Sequence, residues 1–260
     1  MTTRRSRILL LIALLLAAGI LYEATRDPGG AGPPPVRAAT AELELAFGLH
    51  ATLTVAAEYA GLSADDSAQN RFDQLASRFM FTRTIRGVPY PFDFHILADT
   101  ARRTALTIPG GQIFVTAGLL GLVQDSTHTL ALLAHQVGHG VARHSVRTLS
   151  GARLGDDLTG AMALARFQPE SVESRRSRET ARAVEQLLRI QHTVAEELEA
   201  DSIAIELLRE GGIDPRALPA LLRRVEAVRP TEYLEVHPHS PERLARADAL
   251  AARHAGSPAR

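Results

Sequence analysis

The 260 residues are 45% hydrophobic and 22% charged, which suits one globular domain with a sizeable core plus a short appendage and excludes disorder throughout. The 29 basic and 29 acidic residues cancel, so composition supplies no electrostatic case for binding nucleic acid or another polyanion. The chain has no cysteine, which excludes disulfides, thiolate zinc sites, a cysteine nucleophile and a lipid-modified amino-terminal cysteine.

Arg4, Arg5 and Arg7 precede an apolar run from Ile8 to Tyr22, the pattern of a targeting element. The run is shorter than the roughly 20 residues that span a bilayer comfortably, and Ala17-Ala18-Gly19 offers a small-residue cleavage site. Residues 1–26 are therefore expected to be either a signal peptide or a single transmembrane anchor. In both cases the arginines keep the amino end in the cytoplasm and send the remainder across the membrane. Proline and glycine dominate residues 27–37, a linker, and the folded domain is expected over residues 38–256.

Apolar residues at helical spacing predict helices over 40–60 and 68–79. Pro89-Tyr90-Pro91 then introduces the alternating strand 92–97, and a second extended stretch runs from Thr104 to Ile108. The turn Pro109-Gly110-Gly111 joins it to Gln112–Thr116, predicting a hairpin within a small antiparallel sheet. Helices are expected over 127–146, 151–165 and 179–210, the last as one helix or two, ending at Gly211-Gly212-Ile213-Asp214-Pro215. A final helical pair flanks His237-Pro238.

His135 and His139 stand four apart on the predicted helix 127–146, so their imidazoles share one face and can grip one metal ion. Ten histidines in 260 positions yield on the order of 0.4 such pairs by chance, and two core histidines satisfied by hydrogen bonds fit the same spacing. A second helix narrows the choice. At 100° per residue Val194, Glu197, Leu198, Asp201, Ile205 and Leu208 fall on one stripe, while Glu196 and Glu199 point the other way and read as solvated charges. Carboxylates on an apolar face need a metal, an arginine or hydrogen-bond donors. Two histidines and a carboxylate with a fourth position open form a catalytic zinc arrangement, with Glu197 as third ligand and Asp201 placed to orient a metal-binding histidine.

These landmarks together resemble the gluzincin family of zinc metallopeptidases that contains HtpX, the CAAX prenyl endopeptidase and BepA-like proteases. In order they are Phe92–Leu97, the Pro109-Gly110-Gly111 turn with Ile113–Thr116, the two-histidine helix ending Ala142-Arg143-His144, Glu197 with Ala200-Asp201, and His237-Pro238 with Arg243. The resemblance implies a mostly helical α+β metallopeptidase domain with a small sheet beside the metal helix. It implies one zinc ion per chain on His135, His139 and Glu197, with His237 near the fourth position or the developing oxyanion and Arg243 supporting it. It further implies a polypeptide substrate, unfolded or membrane-associated, and protein quality control in the bacterial cell envelope. His50, His95, His128, His144, His192 and His254 are read as structural or surface residues, and a substrate peptide is expected along a sheet edge such as Gln112–Thr116.

Three positions depart from the family pattern. Gln136 stands where the family has the glutamate that takes a proton from the attacking water and passes it to the leaving amine. Val194 replaces an arginine three residues before the third ligand, and the asparagine ahead of the glycine turn is missing. Two functions therefore remain open on the sequence: an exported or membrane-anchored endopeptidase impaired by an isosteric substitution, and a pseudoprotease that holds zinc and extended polypeptide without turnover.

Overall fold

A computed structural model of the chain describes residues 41–123, 125–151 and 184–254. The expected signal or anchor, the linker and nearly all of the helix expected over 151–165 lie outside these residues. Two helices, α1 (Ala41–Glu58) and α2 (Asp66–Ala76), open the domain and are followed by strands β1 (Asp93–Leu97), β2 (Ala105–Ile108) and β3 (Gln112–Thr116). The remaining helices are α3 (Ala117–Val123), α4 (Ser126–Val141), α5 (His144–Gly151), α6 (Val194–Glu210), α7 (Ala217–Val228), α8 (Thr231–Val236) and α9 (Pro241–His254). The architecture is thus the mostly helical α+β one that the sequence implies, and among the described residues no helix is long and apolar enough to cross a membrane.

The sheet corrects one expectation. Its strand order is β1-β3-β2; β2 and β3 form the antiparallel hairpin, but β1 runs parallel to β3, with Asp93 opposite Gln112 and Leu97 opposite Thr116. The sheet is therefore mixed, not purely antiparallel. The turn at Gly110 and Gly111, both at positive φ, dictates the hairpin, whereas nothing local says on which side of it β1 docks. The ladders do: β3 pairs with β1 on one side and with β2 on the other, which makes it the central strand.

Helices cover the sheet from two sides. Phe94, Ile96, Ala105, Ile113 and Val115 belong to the core beneath α4, α6, α7 and α9. Leu97, Leu106, Ile108 and Phe114 face the other way, toward Phe47, Ala51 and Val55 of α1 and toward Val184, Leu187 and Ile190. The outer edge of β1 is closed by Gln69 of α2, whose amide donates to Phe94 O at 2.8 Å and accepts from Ile96 N at 3.1 Å. A side-chain amide thus occupies the positions a further strand would take.

Two helix boundaries position the functional residues. The helix expected over 127–146 breaks after Val141 because Arg143 adopts a left-handed φ of 55°, a conformation that costs a non-glycine residue on the order of 1 kcal/mol. Its guanidinium pairs there with the buried Glu44 of α1, and the chain restarts as α5 at His144. The region expected over 179–210 is divided too: a helical segment 184–188 is followed by a non-helical stretch. Thr193 and Glu196 then form a reciprocal capping box that starts α6. Glu196 therefore has a structural task beyond solvation.

Candidate metal centre

The α4 and α6 helices touch backbone to backbone at the centre of the domain. A Cβ added to Gly138 would lie 2.6 Å from Ala200 O, so only glycine allows the approach that brings His135 and His139 of α4 over Glu197 of α6. His237, at the end of α8, completes the group, and all four side chains are buried. Their donor atoms converge: His135 Nε2 lies 3.1 Å from His139 Nε2 and 3.3 Å from His237 Nδ1. Glu197 Oε1 lies 3.2 Å from His139 Nε2 and 3.0 Å from His237 Nδ1, and Glu197 Oε2 lies 3.4 Å from His135 Nε2.

These separations fit a metal ion. Ligand bonds of about 2.0–2.1 Å in a tetrahedron put neighbouring donors roughly 3.3 Å apart, close to the spacing here, and four nitrogen and oxygen atoms suit a borderline cation. Glu197 Oε2 is buried without a hydrogen bond among the described residues, although Arg243 Nη1 approaches it to 2.6 Å. Unprotonated imidazoles and a carboxylate facing one another repel unless a cation sits between them. With a cation at the cluster His237 presents its Nδ1 lone pair there and carries its ring proton on Nε2, which lies 3.2 Å from Ala105 O, a carbonyl that can only accept.

The surroundings hold these groups in place. Asp201, one turn after Glu197, lies 2.9 Å from His135 Nδ1 and takes the Arg243 guanidinium on both oxygens, at 2.6 Å from Nε and 3.0 Å from Nη2. Burial by itself would raise Glu197, yet Arg243 and the three histidines hold its carboxyl well below the usual range. Burial acts likewise on Asp201 and is outweighed by Arg243 and His135. Burial lowers His139 and His237; it also depresses His135, but Glu197 and Asp201 overcome it and leave that ring raised.

The sequence-derived residues fall into place with adjustments. His135, His139, Glu197 and His237 come together, and Asp201 stands behind His135 as the helical stripe implies. Arg243 grips Glu197 and Asp201 and donates to Pro238 O at 3.3 Å; the ring of His237 is instead stacked on Tyr233, at 4.7 Å between centroids, an aromatic the sequence did not single out. His239 lies apart, 3.4 Å from Glu226. Gln136 is fully buried, its Oε1 accepting from Thr107 Oγ1 at 2.9 Å and its Nε2 lying 3.2 Å from His237 Nε2.

Three residues read as structural or solvated lie beside the site. His144 is buried against His139, Glu199 reaches back to His144, and His192 lies beside His139 with ring centroids 4.1 Å apart and planes tilted by 32°. Burial drives His192 down to about 3. The expected peptide edge is also corrected: β3 is paired on both sides, and the strand edge beside α4 is that of β2. There Ala105 O faces His237, and Thr107 O accepts from Ser145 Oγ.

Residues 66–251 match peptidase family M48, most of the chain, and the chain belongs to that family. It is similar to the beta-barrel assembly-enhancing proteases of Yersinia pestis and Escherichia coli. With the first it is 27% identical over 68% of this chain and 39% of the relative, and with the second 27% identical over 61% and 34%. It is also similar to the mitochondrial metalloendopeptidase OMA1 of Schizosaccharomyces pombe, at 26% identity over 59% of this chain and 44% of that protein. The chain thus spans less than half the length of these relatives.

Proposed function

We propose that the chain is a zinc metalloendopeptidase whose peptide-bond hydrolysis is impaired by Gln136, acting on unfolded or membrane-associated polypeptide in protein quality control. The observation that carries the reading is the convergence of four buried donors at tetrahedral spacing, in a chain of family M48. In this proposal His135, His139 and Glu197 hold zinc, His237 lies near the fourth position or the developing oxyanion, and Asp201 with Arg243 orients His135 and balances the charge of Glu197. When bound, zinc supplies a Lewis acid that polarises the scissile carbonyl and lowers the pKa of the attacking water.

The protein's own groups do the rest. Substrate backbone pairs with the β2 edge, where its amides replace the donors from His237 and Ser145 on the carbonyls of Ala105 and Thr107. His237, freed from Ala105 O, can donate through Nε2 to the oxygen that gains charge. Gln136 positions water through its amide but has no useful basicity, so the proton transfer that a carboxylate performs at this position is lost.

Elemental analysis of the purified full chain should find one zinc ion per chain with Gln136 in place, because none of the proposed ligands is altered. His135→Ala or Glu197→Ala should each abolish tight binding. Full occupancy in either variant removes the site.

A second reading, polypeptide binding without turnover, draws support from a specific feature. His237 Nδ1 closes the donor set, and zinc with four protein ligands is the structural kind of site, whereas catalytic sites keep one position open.

The domain is proposed to span residues 38–256 and to work outside the cytoplasm in the cell envelope, behind a signal or anchor in residues 1–26. A reporter fused after Arg260 should be active only in an extracytoplasmic compartment; cytoplasmic activity reverses this topology.

A further inference from the structure

We infer that His144 and Glu199 form a relay that positions metal ligand His139: His144 fixes the tautomer of the His139 ring, and Glu199 fixes that of His144. The inference rests on the metal reading of the His135, His139 and Glu197 cluster and extends it to two residues outside the ligand set. His139 Nε2 faces that cluster, so it must present its lone pair there, and a neutral imidazole then carries its proton on Nδ1. That Nδ1 lies 2.9 Å from His144 Nδ1. Two ring nitrogens at this distance share one proton, so His139 donates and His144 accepts. The His144 proton is thereby placed on Nε2, which lies 3.2 Å from Glu199 Oε2. Glu199 can only accept, and the same oxygen also receives Arg147 Nη1 at 2.8 Å. Every proton in the chain of contacts has one consistent position.

The two histidine ligands are then supported in parallel. His135 meets a carboxylate directly in Asp201, whereas His139 meets one through the intervening ring of His144. Glu197, Glu199 and Asp201 all lie on α6, so one helix supplies the carboxylate ligand and the carboxylate behind each imidazole. The left-handed turn at Arg143 makes this possible, since a continuous α4 would carry His144 past His139 along the helix axis. His144 is wholly buried, which keeps competing water from its ring.

His139, His144 and His192 also lie close enough to be considered for a second ion. The ring planes of His139 and His192, however, differ by only 32° at 4.1 Å between centroids. Their in-plane lone pairs therefore run side by side instead of meeting at a point. The proton shared between His139 and His144 accounts for the observed contact without a second ion.

The test uses the full chain and reads zinc affinity by competition with a chromogenic chelator. His144→Leu, which removes the acceptor, should weaken zinc binding about 10- to 100-fold, the range for groups that orient a ligand through its second nitrogen. His144→Asn, whose Oδ1 takes the place of the ring Nδ1, should recover most of that loss. Glu199→Ala, at a side chain 46% exposed, keeps the inference testable if the buried variants fail to fold, and should weaken binding in the same direction. A parent chain that binds no zinc overturns the metal reading and the relay with it. A parent that binds zinc, with His144→Leu and Glu199→Ala binding equally well, overturns the relay alone. Two ions per chain, one of them lost in His192→Ala, places an ion where the shared proton belongs and overturns it as well.

Discussion

Gln136→Glu should raise the rate at which the zinc-loaded chain cleaves an unfolded protein such as casein by roughly 10²- to 10⁴-fold, the usual worth of a general base, equivalent to about 3–6 kcal/mol of barrier. The site is already shaped for the carboxylate. Gln136 is fully buried on α4 between the hydroxyl of Thr107 and Nε2 of His237. Both neighbours can donate to a carboxylate, whereas an amide must turn one end of each kind toward them. The exchange changes almost no volume, so the packing of α4 against β2 should survive. In that background His237→Ala should lower the rate again, because it removes the donor that faces developing charge. A large gain identifies an enzyme held at one step. If Gln136→Glu holds zinc, stays folded and cleaves nothing while both forms bind extended peptides, the chain is a recognition module and the endopeptidase proposal fails.

The four-residue spacing of His135 and His139 and the stripe through Glu197 and Asp201 were legible because helical periodicity alone decides which side chains share a face. The hairpin at Gly110-Gly111 was legible for the same local reason. What was not legible depends on contacts between segments far apart in the chain. The docking of β1 beside β3 follows from which strand edge the surrounding helices bury, a property absent from any single strand. His144 looked like the continuation of α4; its turn into the site depends on the left-handed Arg143, held by Glu44 some hundred residues earlier. Glu199 lies on the polar face as periodicity requires, yet α5 brings His144 and Arg147 to it there. A face assigned to solvent by one helix can thus be claimed by its neighbour. The pairing of β3 on both sides moved the candidate peptide edge in the same way, since no pattern within one strand says whether it lies at an edge or in the centre of a sheet.

Arg243→Met should destabilise the zinc-free chain by about 3–5 kcal/mol, the cost of leaving a buried charge without its partner. Arg243 is almost wholly buried and places its guanidinium on Glu197 Oε2 at 2.6 Å and on both oxygens of Asp201. Without a metal it is the only permanent cation among these contacts, and methionine keeps the apolar stem while deleting the charge. Zinc changes the balance, because the ion takes over the neutralisation of Glu197, while Asp201 retains His135 at 2.9 Å. The loss measured by urea unfolding should therefore be clearly smaller in zinc than in chelator. A thermodynamic cycle then requires the folded variant to bind zinc more tightly than the parent, by the amount of stability the ion restores. Arg243→Lys should recover only part of the zinc-free loss, since a single ammonium cannot reproduce the planar fork across Asp201 and Glu197 together. An equal loss with and without zinc shows that arginine and metal do not share the charge of Glu197, and the role proposed here for Arg243 is then wrong.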